Sequence, residues 1–124
     1  MKNLLKTLIV LFTIGMSTQL IAQEAEVIRL TQIDGDFKEA KTLHLKAGKA
    51  YVFEVSNEDV DHEVGFVVTP KGKMQMKDHI QNAYVQEMIQ KGKTSTSKEV
   101  VLEAGEYEYF CPLNPTPHYQ IMVH

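Results

Sequence analysis

The stretch LEAGEYEYFCP, residues 102–112, decides the fold that the sequence predicts. A glycine turn is followed by Tyr107 and Tyr109, which alternate with other residues in the period of two that is typical of a β-strand. The predicted strand ends at Cys111, the single cysteine of the sequence. One cysteine cannot form an internal disulfide, so this residue is either a small buried group or a metal ligand. Composition alone leaves both interpretations open.

Outside this hairpin, short alternating segments bounded by turn residues predict six further strands. They cover residues 26–33, 41–46, 50–56, 64–69, 98–102 and 119–124. The period changes over residues 78–90, where Ile80, Tyr84 and Met88 recur every four residues. This spacing predicts one helix of about three turns. The whole pattern predicts an all-β protein, a Greek-key β-sandwich with one inserted short helix.

The N-terminal segment has the layout of a secretory signal peptide. Two lysines precede an apolar run over residues 8–16, which is too short to span a bilayer, and small and polar residues follow up to Ala22. We therefore expect residues 1–22 to be removed, and residues 23–124 to form one domain that is periplasmic or otherwise exported and no longer contacts a membrane. An uncleaved N-terminal anchor is the alternative.

The charge of the chain restricts its partners. The formal net charge is −3, and removal of the two N-terminal lysines would change it to −5. A mildly acidic protein is a poor match for nucleic acid or for anionic lipid, so we expect neither as a partner. A small basic protein would suit this charge better.

Two histidines accompany Cys111 in a pattern that predicts a metal site. His62 ends an acidic loop that enters a predicted strand, and His118 follows Cys111 after a loop with three prolines. A thiolate and two imidazoles are the ligand set of a mononuclear blue-copper site, because soft sulfur favours copper. We therefore predict His62, Cys111 and His118 as copper ligands. The other three histidines are interpreted as ordinary surface residues.

Two runs of the sequence together resemble the small cupredoxins, the relatives of plastocyanin, amicyanin and azurin. Residues 43–66 have the order apolar strand, Ala-Gly turn, aromatic strand, asparagine, acidic loop and histidine, followed by valine and phenylalanine. Residues 102–112 are similar to the Gly-x-Tyr-x-Tyr-x-Cys hairpin that leads to the copper cysteine of that family. The resemblance implies a one-electron Cu(II)/Cu(I) carrier, not an enzyme. It also implies a monomer whose partner is another redox protein, such as a cytochrome or a copper protein.

Some positions depart from the pattern of that family. Six residues separate Cys111 from His118, more than is usual in the family, and Asn114 stands where the shortest loops have the histidine. Glu63 follows the first histidine, where many members have asparagine. The axial ligand is open between Met122, Glu63 and water. Met122 is nevertheless expected deep in the last strand, out of reach of the metal.

Two other functions stay open from the sequence. One is a non-redox cupredoxin-like module that handles copper or binds a partner, and the other is a small copper enzyme with an open coordination position. Five histidines are too few for a multicopper oxidase. Hydrolysis by a cysteine nucleophile is disfavoured, because Cys111 ends a strand beside proline and has no helix N-terminus to activate it.

Overall fold

The computed structural model describes residues 24–124 of the chain, which contain nine short β-strands. They are β1 (Glu26–Ile33), β2 (Asp36–Phe37), β3 (Leu43–Leu45), β4 (Ala50–Asn57), β5 (Val67–Pro70), β6 (Thr94–Thr96), β7 (Val100–Val101), β8 (Gly105–Phe110) and β9 (Tyr119–Val123). The predicted signal peptide, residues 1–22, lies outside the described residues. Within residues 24–124, no helix is long and apolar enough to span a bilayer.

The strands form two sheets that share one core. The first sheet has the order β2-β1-β4-β6, with β7 also paired to β4, and the second has the order β3-β9-β8-β5. β1 runs parallel to β4 and β3 runs parallel to β9, whereas the other pairs are antiparallel. Parallel neighbours require the chain to cross from one sheet to the other between them. The predicted all-β sandwich is confirmed.

Alternation along β4 and β9 builds much of the core between the sheets. In β4 the buried residues Tyr51, Phe53 and Val55 alternate with partly exposed ones. Phe37 and Tyr109 extend this core towards the Cys111 loop, with ring centroids 5.1 Å apart in an edge-to-face arrangement. Aromatic packing therefore fixes the strand ends that carry the candidate site.

The helix predicted for residues 78–90 is wrong. Two 3-10 turns at Met76–Asp78 and Gln81–Ala83 are followed by a segment without helix. Val64 and Ile89 exchange both backbone hydrogen bonds, at 3.0 and 2.9 Å, so the segment pairs with the sandwich instead of with itself. β-Branched residues have weak helix propensity, and these tertiary bonds replace the intrahelical ones. Ala83 and Ile89 are the buried residues of the segment, whereas Met88 of the four-residue spacing is exposed, so the spacing does not mark a packed face.

The last strand agrees with the segment predicted for residues 119–124 to within one residue. Ile121 and Val123 are buried in the core, and Met122 lies on the opposite, outer face of the sheet. Met122 is therefore turned away from the inner side of the sandwich, as the sequence predicts.

Candidate metal centre

Cys111 lies directly after β8, with 1% of its surface exposed. Its sulfur accepts a hydrogen bond from the backbone N–H of Asn114 at 3.3 Å, and its own N–H donates to the Thr116 hydroxyl oxygen at 3.1 Å. The loop after the strand is thus wrapped around the thiol and hides it from solvent. A buried sulfur with an N–H donor is compatible with both interpretations of the cysteine, as a small buried group or as a metal ligand.

Asn114, three residues after Cys111, is buried. Its Oδ1 accepts from the N–H of Gly35 at 2.7 Å, and its Nδ2 donates to the Ile33 carbonyl at 2.9 Å and to Gln32 Oε1 at 3.2 Å. Gln32 continues the network, because its Nε2 donates to the Gly65 carbonyl at 2.6 Å. These bonds tie the cysteine loop to β1 and to the segment before β5. A shared metal ion would provide the same kind of connection.

His62 lies in a loop with a fixed backbone, but its imidazole is exposed. The buried Asn57 side chain donates to three backbone carbonyls of this region, including that of His62 at 3.1 Å. The ring Nδ1 of His62 lies 3.0 Å from the carbonyl oxygen of Glu63. The loop is at the same end of the sandwich as the cysteine loop, because both loops bond to Gln32.

His118 lies on the outer face of the second sheet. Its ring stacks on Phe110, with centroids 4.1 Å apart and planes 7° apart, and its Nδ1 is 3.2 Å from Glu108 Oε2. Successive residues of a strand point to opposite faces. Glu108 and Phe110 therefore share the outer face, whereas Tyr109 and Cys111 belong to the inner one. The structure does not bring His118 and Cys111 together.

The three predicted ligands do not fit a copper centre in this arrangement. Among residues 24–124, no group of three or more histidine, cysteine, aspartate or glutamate side chains could hold a metal ion. Joint binding by His62, Cys111 and His118 would require His118 to leave Glu108 and Phe110 and to cross to the inner face. The assignment of His62, Cys111 and His118 as copper ligands stays a prediction.

Sequence reasoning missed the Gln32–Asn114 pair, although the sequence contains one sign of it. Leu30 and Gln32 share the inward face of β1, and both are at most 1% exposed. A glutamine at a position where the strand alternation calls for an apolar residue must find a buried hydrogen-bond partner. Asn114 is one such partner.

An apolar groove of about 320 Å³ lies beside the cysteine loop. It is lined by Gly65, Phe66, Val67, Tyr84, Val85, Met88, Pro112 and Leu113. Met88 and Leu113 are 44% and 48% exposed, and both line the same groove. A Cβ at Gly65 would lie 3.2 Å from Met88 Cε, so this glycine leaves room for the methionine.

Exposed carboxylates lie in the loop next to this groove. Glu63 is two residues from the groove-lining Gly65 and accepts a hydrogen bond from Gln90 Nε2 at 3.2 Å. Asp61 forms an ion pair with Lys91 at 2.8 Å, and the hydrogen bond from Lys91 lowers the pKa of Asp61. Lys38 pairs with Glu58 of the same loop at 2.9 Å, so four carboxylates between residues 58 and 63 are compensated by two lysines.

Solved structures with the same fold are distant in sequence. Auracyanin A, a "blue" copper protein from Chloroflexus aurantiacus, superposes with a TM-score of 0.66 at 14% identity, covering 82% of this chain and 100% of its own. Auracyanin B has a TM-score of 0.66 at 13% identity, with 85% and 93% covered. The blue copper oxidase from Nitrosomonas europaea has a TM-score of 0.61 at 18% identity, with 82% and 39% covered. These likenesses show the fold alone.

Sequence comparison places the chain in a family. No curated protein sequence matches it significantly. The family model described as "Cupredoxin-like domain", however, matches residues 4–123, nearly the whole chain. This match agrees with the two-sheet fold and with the structural neighbours. The chain belongs to the family of cupredoxin-like domains.

Proposed function

We propose that this chain is a non-redox member of the cupredoxin-like family that binds a protein partner beside the Cys111 loop. The observation that carries the proposal is the Asn114 side chain, whose three hydrogen bonds hold the Cys111 loop. Buried polar groups that are all partnered give a loop one fixed conformation. A fixed loop next to an exposed apolar groove is suited to presenting a surface to another protein.

The groove favours a partner that inserts one apolar side chain flanked by basic residues. Its volume of about 320 Å³ suits a single large side chain. Binding would bury Met88 and Leu113, and apolar area removed from water contributes about 25 cal/mol per Å². The acidic loop around Asp61 and Glu63 would attract a basic partner and speed its association.

We also propose that the protein works in the cell envelope, most simply the periplasm. The support is the signal-peptide layout of residues 1–22. A cysteine that is only 1% exposed is protected from oxidation, which suits an oxidising compartment. N-terminal sequencing of the protein from fractionated cells tests this part, and a retained Met1 on a membrane-bound product would contradict it.

A second candidate is the one-electron carrier with His62, Cys111 and His118 as copper ligands. The observation that favours it is the buried Cys111 thiol, which lies at the same end of the sandwich as the His62 loop. The chain also belongs to the family of cupredoxin-like domains, and its structural neighbours include blue copper proteins. Copper bound there would supply a Cu(II)/Cu(I) couple. The chain itself would have to release His118 from Glu108 and turn the His62 ring inward.

Addition of Cu(II) to the folded protein separates the two candidates. We expect no intense visible sulfur-to-copper absorption in the native chain, and no difference between it and the Cys111→Ser variant. An intense band that bleaches reversibly on reduction and disappears in Cys111→Ser would establish the carrier instead. The Asn82→Ala variant is the matched control for the effect of a substitution as such, because Asn82 lies on the surface away from Cys111.

Selection from a random peptide library tests the partner surface. We expect peptides with one large apolar residue flanked by lysine or arginine. The substitutions Met88→Glu and Leu113→Glu should weaken their binding at least about tenfold, or about 1.4 kcal/mol. Val101→Glu is the matched control, because Val101 is an exposed apolar residue on β7, outside the groove. Equal effects of all three substitutions would contradict the groove as the binding site.

A further inference from the structure

We propose that the outer face of the second sheet carries a site for a soft metal ion, best Cu(I), formed by His44, Met122 and His124. The inference is independent of the proposed function, because these residues lie on the opposite face of the sheet from Cys111. The sequence interpretation treats both histidines as ordinary surface residues. Their arrangement in the sheet is what points to a common ligand.

The three side chains are gathered by strand pairing. His44 of β3 is directly opposite Met122 of β9, and neighbouring strands lie about 4.8 Å apart. His124 is two residues beyond Met122 and therefore on the same face. The rings of His44 and His124 lie parallel, with centroids 6.1 Å apart and planes 8° apart. Both histidines are exposed, so an ion can reach them from solvent.

The backbone under this cluster is fixed on both sides. The N–H of His124 donates to the Leu45 carbonyl at 3.1 Å, and the His124 carbonyl accepts from the N–H of Ala47 at 2.8 Å. The other three histidines place a ring nitrogen against a neighbouring oxygen. Within residues 24–124, no hydrogen bond occupies either ring of the His44–His124 pair. Both rings are therefore free to turn towards a shared ion.

The charges around the cluster are nearly balanced. Glu106 of β8 is opposite Met122 on its other side, and its carboxylate is 3.6 Å from Lys71 Nζ. Lys46 follows β3 and is exposed near the pair. A divalent ion that needs a carboxylate would have to compete with Lys71 for Glu106. A monovalent ion held by neutral ligands has no such competition.

The donor set selects the metal. Imidazole nitrogen suits copper, zinc and nickel, whereas a thioether sulfur adds affinity chiefly for Cu(I). Metal–nitrogen bonds are about 2.0–2.1 Å, so the two rings must turn their nitrogens to within about 4 Å of each other. Rotation of two exposed side chains achieves this without movement of the strands. The bound ion would be three-coordinate through two nitrogens and one sulfur.

Competition with a colorimetric Cu(I) chelator under reducing conditions tests the site. The Cys111→Ser variant serves as the background, so that the thiol cannot contribute. We expect one Cu(I) per chain, loss of at least tenfold in affinity in His44→Gln or His124→Gln, and a similar loss for Cu(I) in Met122→Leu. For Ni²⁺, Met122→Leu should change the affinity less than threefold, because the thioether is a poor ligand for that ion.

The matched control is the double variant Met76→Leu, His79→Gln, which removes an exposed methionine and a half-buried histidine elsewhere on the molecule. Unchanged Cu(I) affinity in His44→Gln, or loss in the control alone, would overturn the proposal. A second measurement does not depend on any variant. Titration of the native protein with Ag(I), a diamagnetic analogue of Cu(I), should shift the imidazole NMR resonances of His44 and His124 before those of other histidines, and the reverse order would contradict the site.

Discussion

The two faces of the β8–β9 hairpin differ sharply, although they are built from alternate residues of the same strands. The inner face carries Tyr109 and leads to Cys111 and Asn114, all at most 1% exposed and all hydrogen bonded. The outer face carries the partly exposed pair of Glu108 and His118 beside the buried ring of Phe110. Successive residues of the strand thus reach different surroundings: the core and its hydrogen-bond network on one face, and an ion pair with solvent access on the other.

This difference explains why a cysteine and a histidine so close in sequence do not meet. The loop between them returns the chain to the sheet with Tyr109 opposite Tyr119, so His118 comes next to Phe110. That register places the imidazole on the outer face. The inner position is taken by Asn114, which reaches β1 by hydrogen bonds. The hydrogen bonds that hold the loop therefore lie on the inner face, and the histidine predicted as a ligand lies on the outer face.

The largest expected effect is that of Asn114→Ala on the inner face. The substitution leaves the Gly35 N–H, the Ile33 carbonyl and Gln32 Oε1 without their partner. Gln32 is buried, Ile33 is half-buried and Gly35 is exposed, so the Gly35 N–H can bond to water instead. Because a buried unsatisfied group costs about 1–3 kcal/mol, we expect the free energy of unfolding to fall by about 3 kcal/mol, mostly through Gln32 and Ile33. Urea denaturation measures this change.

Two controls sharpen that test. Asn82→Ala removes one exposed hydrogen bond of 3.3 Å to the Glu99 carbonyl and should cost less than about 0.5 kcal/mol. Reaction of the Cys111 thiol with a disulfide reagent should also become at least tenfold faster in Asn114→Ala, because opening of the loop exposes the sulfur. Equal stability of the two asparagine variants would contradict the structural role of the network.

The same two faces show which features of the fold can be predicted from the sequence. The period of two predicted β1, β4, β8 and β9 and the outward direction of Met122, because alternation is a local property. It could not predict the register between β8 and β9, which depends on the path of the loop between them. The predicted helix failed for a similar reason, since backbone pairing of Val64 with Ile89 is a contact between residues distant in sequence. The Asn114 network is equally non-local.

A smaller effect is expected for Tyr109→Phe, also on the inner face. Its hydroxyl donates to the Lys41 carbonyl at 2.7 Å, so its removal should cost about 1 kcal/mol. Tyr107→Phe is the control, because the Tyr107 hydroxyl makes a comparable bond of 3.0 Å in an exposed setting and should matter less. A larger loss in Tyr107→Phe would reverse the comparison between the buried and exposed bonds.

Tyr109 also makes stability depend on alkaline pH. Burial raises the pKa of Tyr109 from 10.0 to about 12. A raised pKa in the folded state means that this contribution to stability is complete below pH 10 and is lost as the pH rises towards about 12. Unfolding measured between these values should show a decline that is weaker in Tyr109→Phe. The same slope in both proteins would show that the decline comes from other groups.

The smallest expected effect is on the outer face, at His118. The His118 ring is paired with the Glu108 carboxylate at 3.2 Å, with side-chain exposures of 38% and 18%. Exposed pairs of this kind contribute about 0.2–1 kcal/mol, and the stacking on Phe110 adds little because the phenylalanine is already packed. His118→Gln should therefore change the free energy of unfolding by less than about 1 kcal/mol. It should also leave the reaction rate of the Cys111 thiol unchanged, because the cysteine loop is held by Asn114 on the other face. A marked increase in thiol reactivity in His118→Gln would mean that the outer histidine helps to hold the loop, and the separation of roles between the two faces would then be wrong.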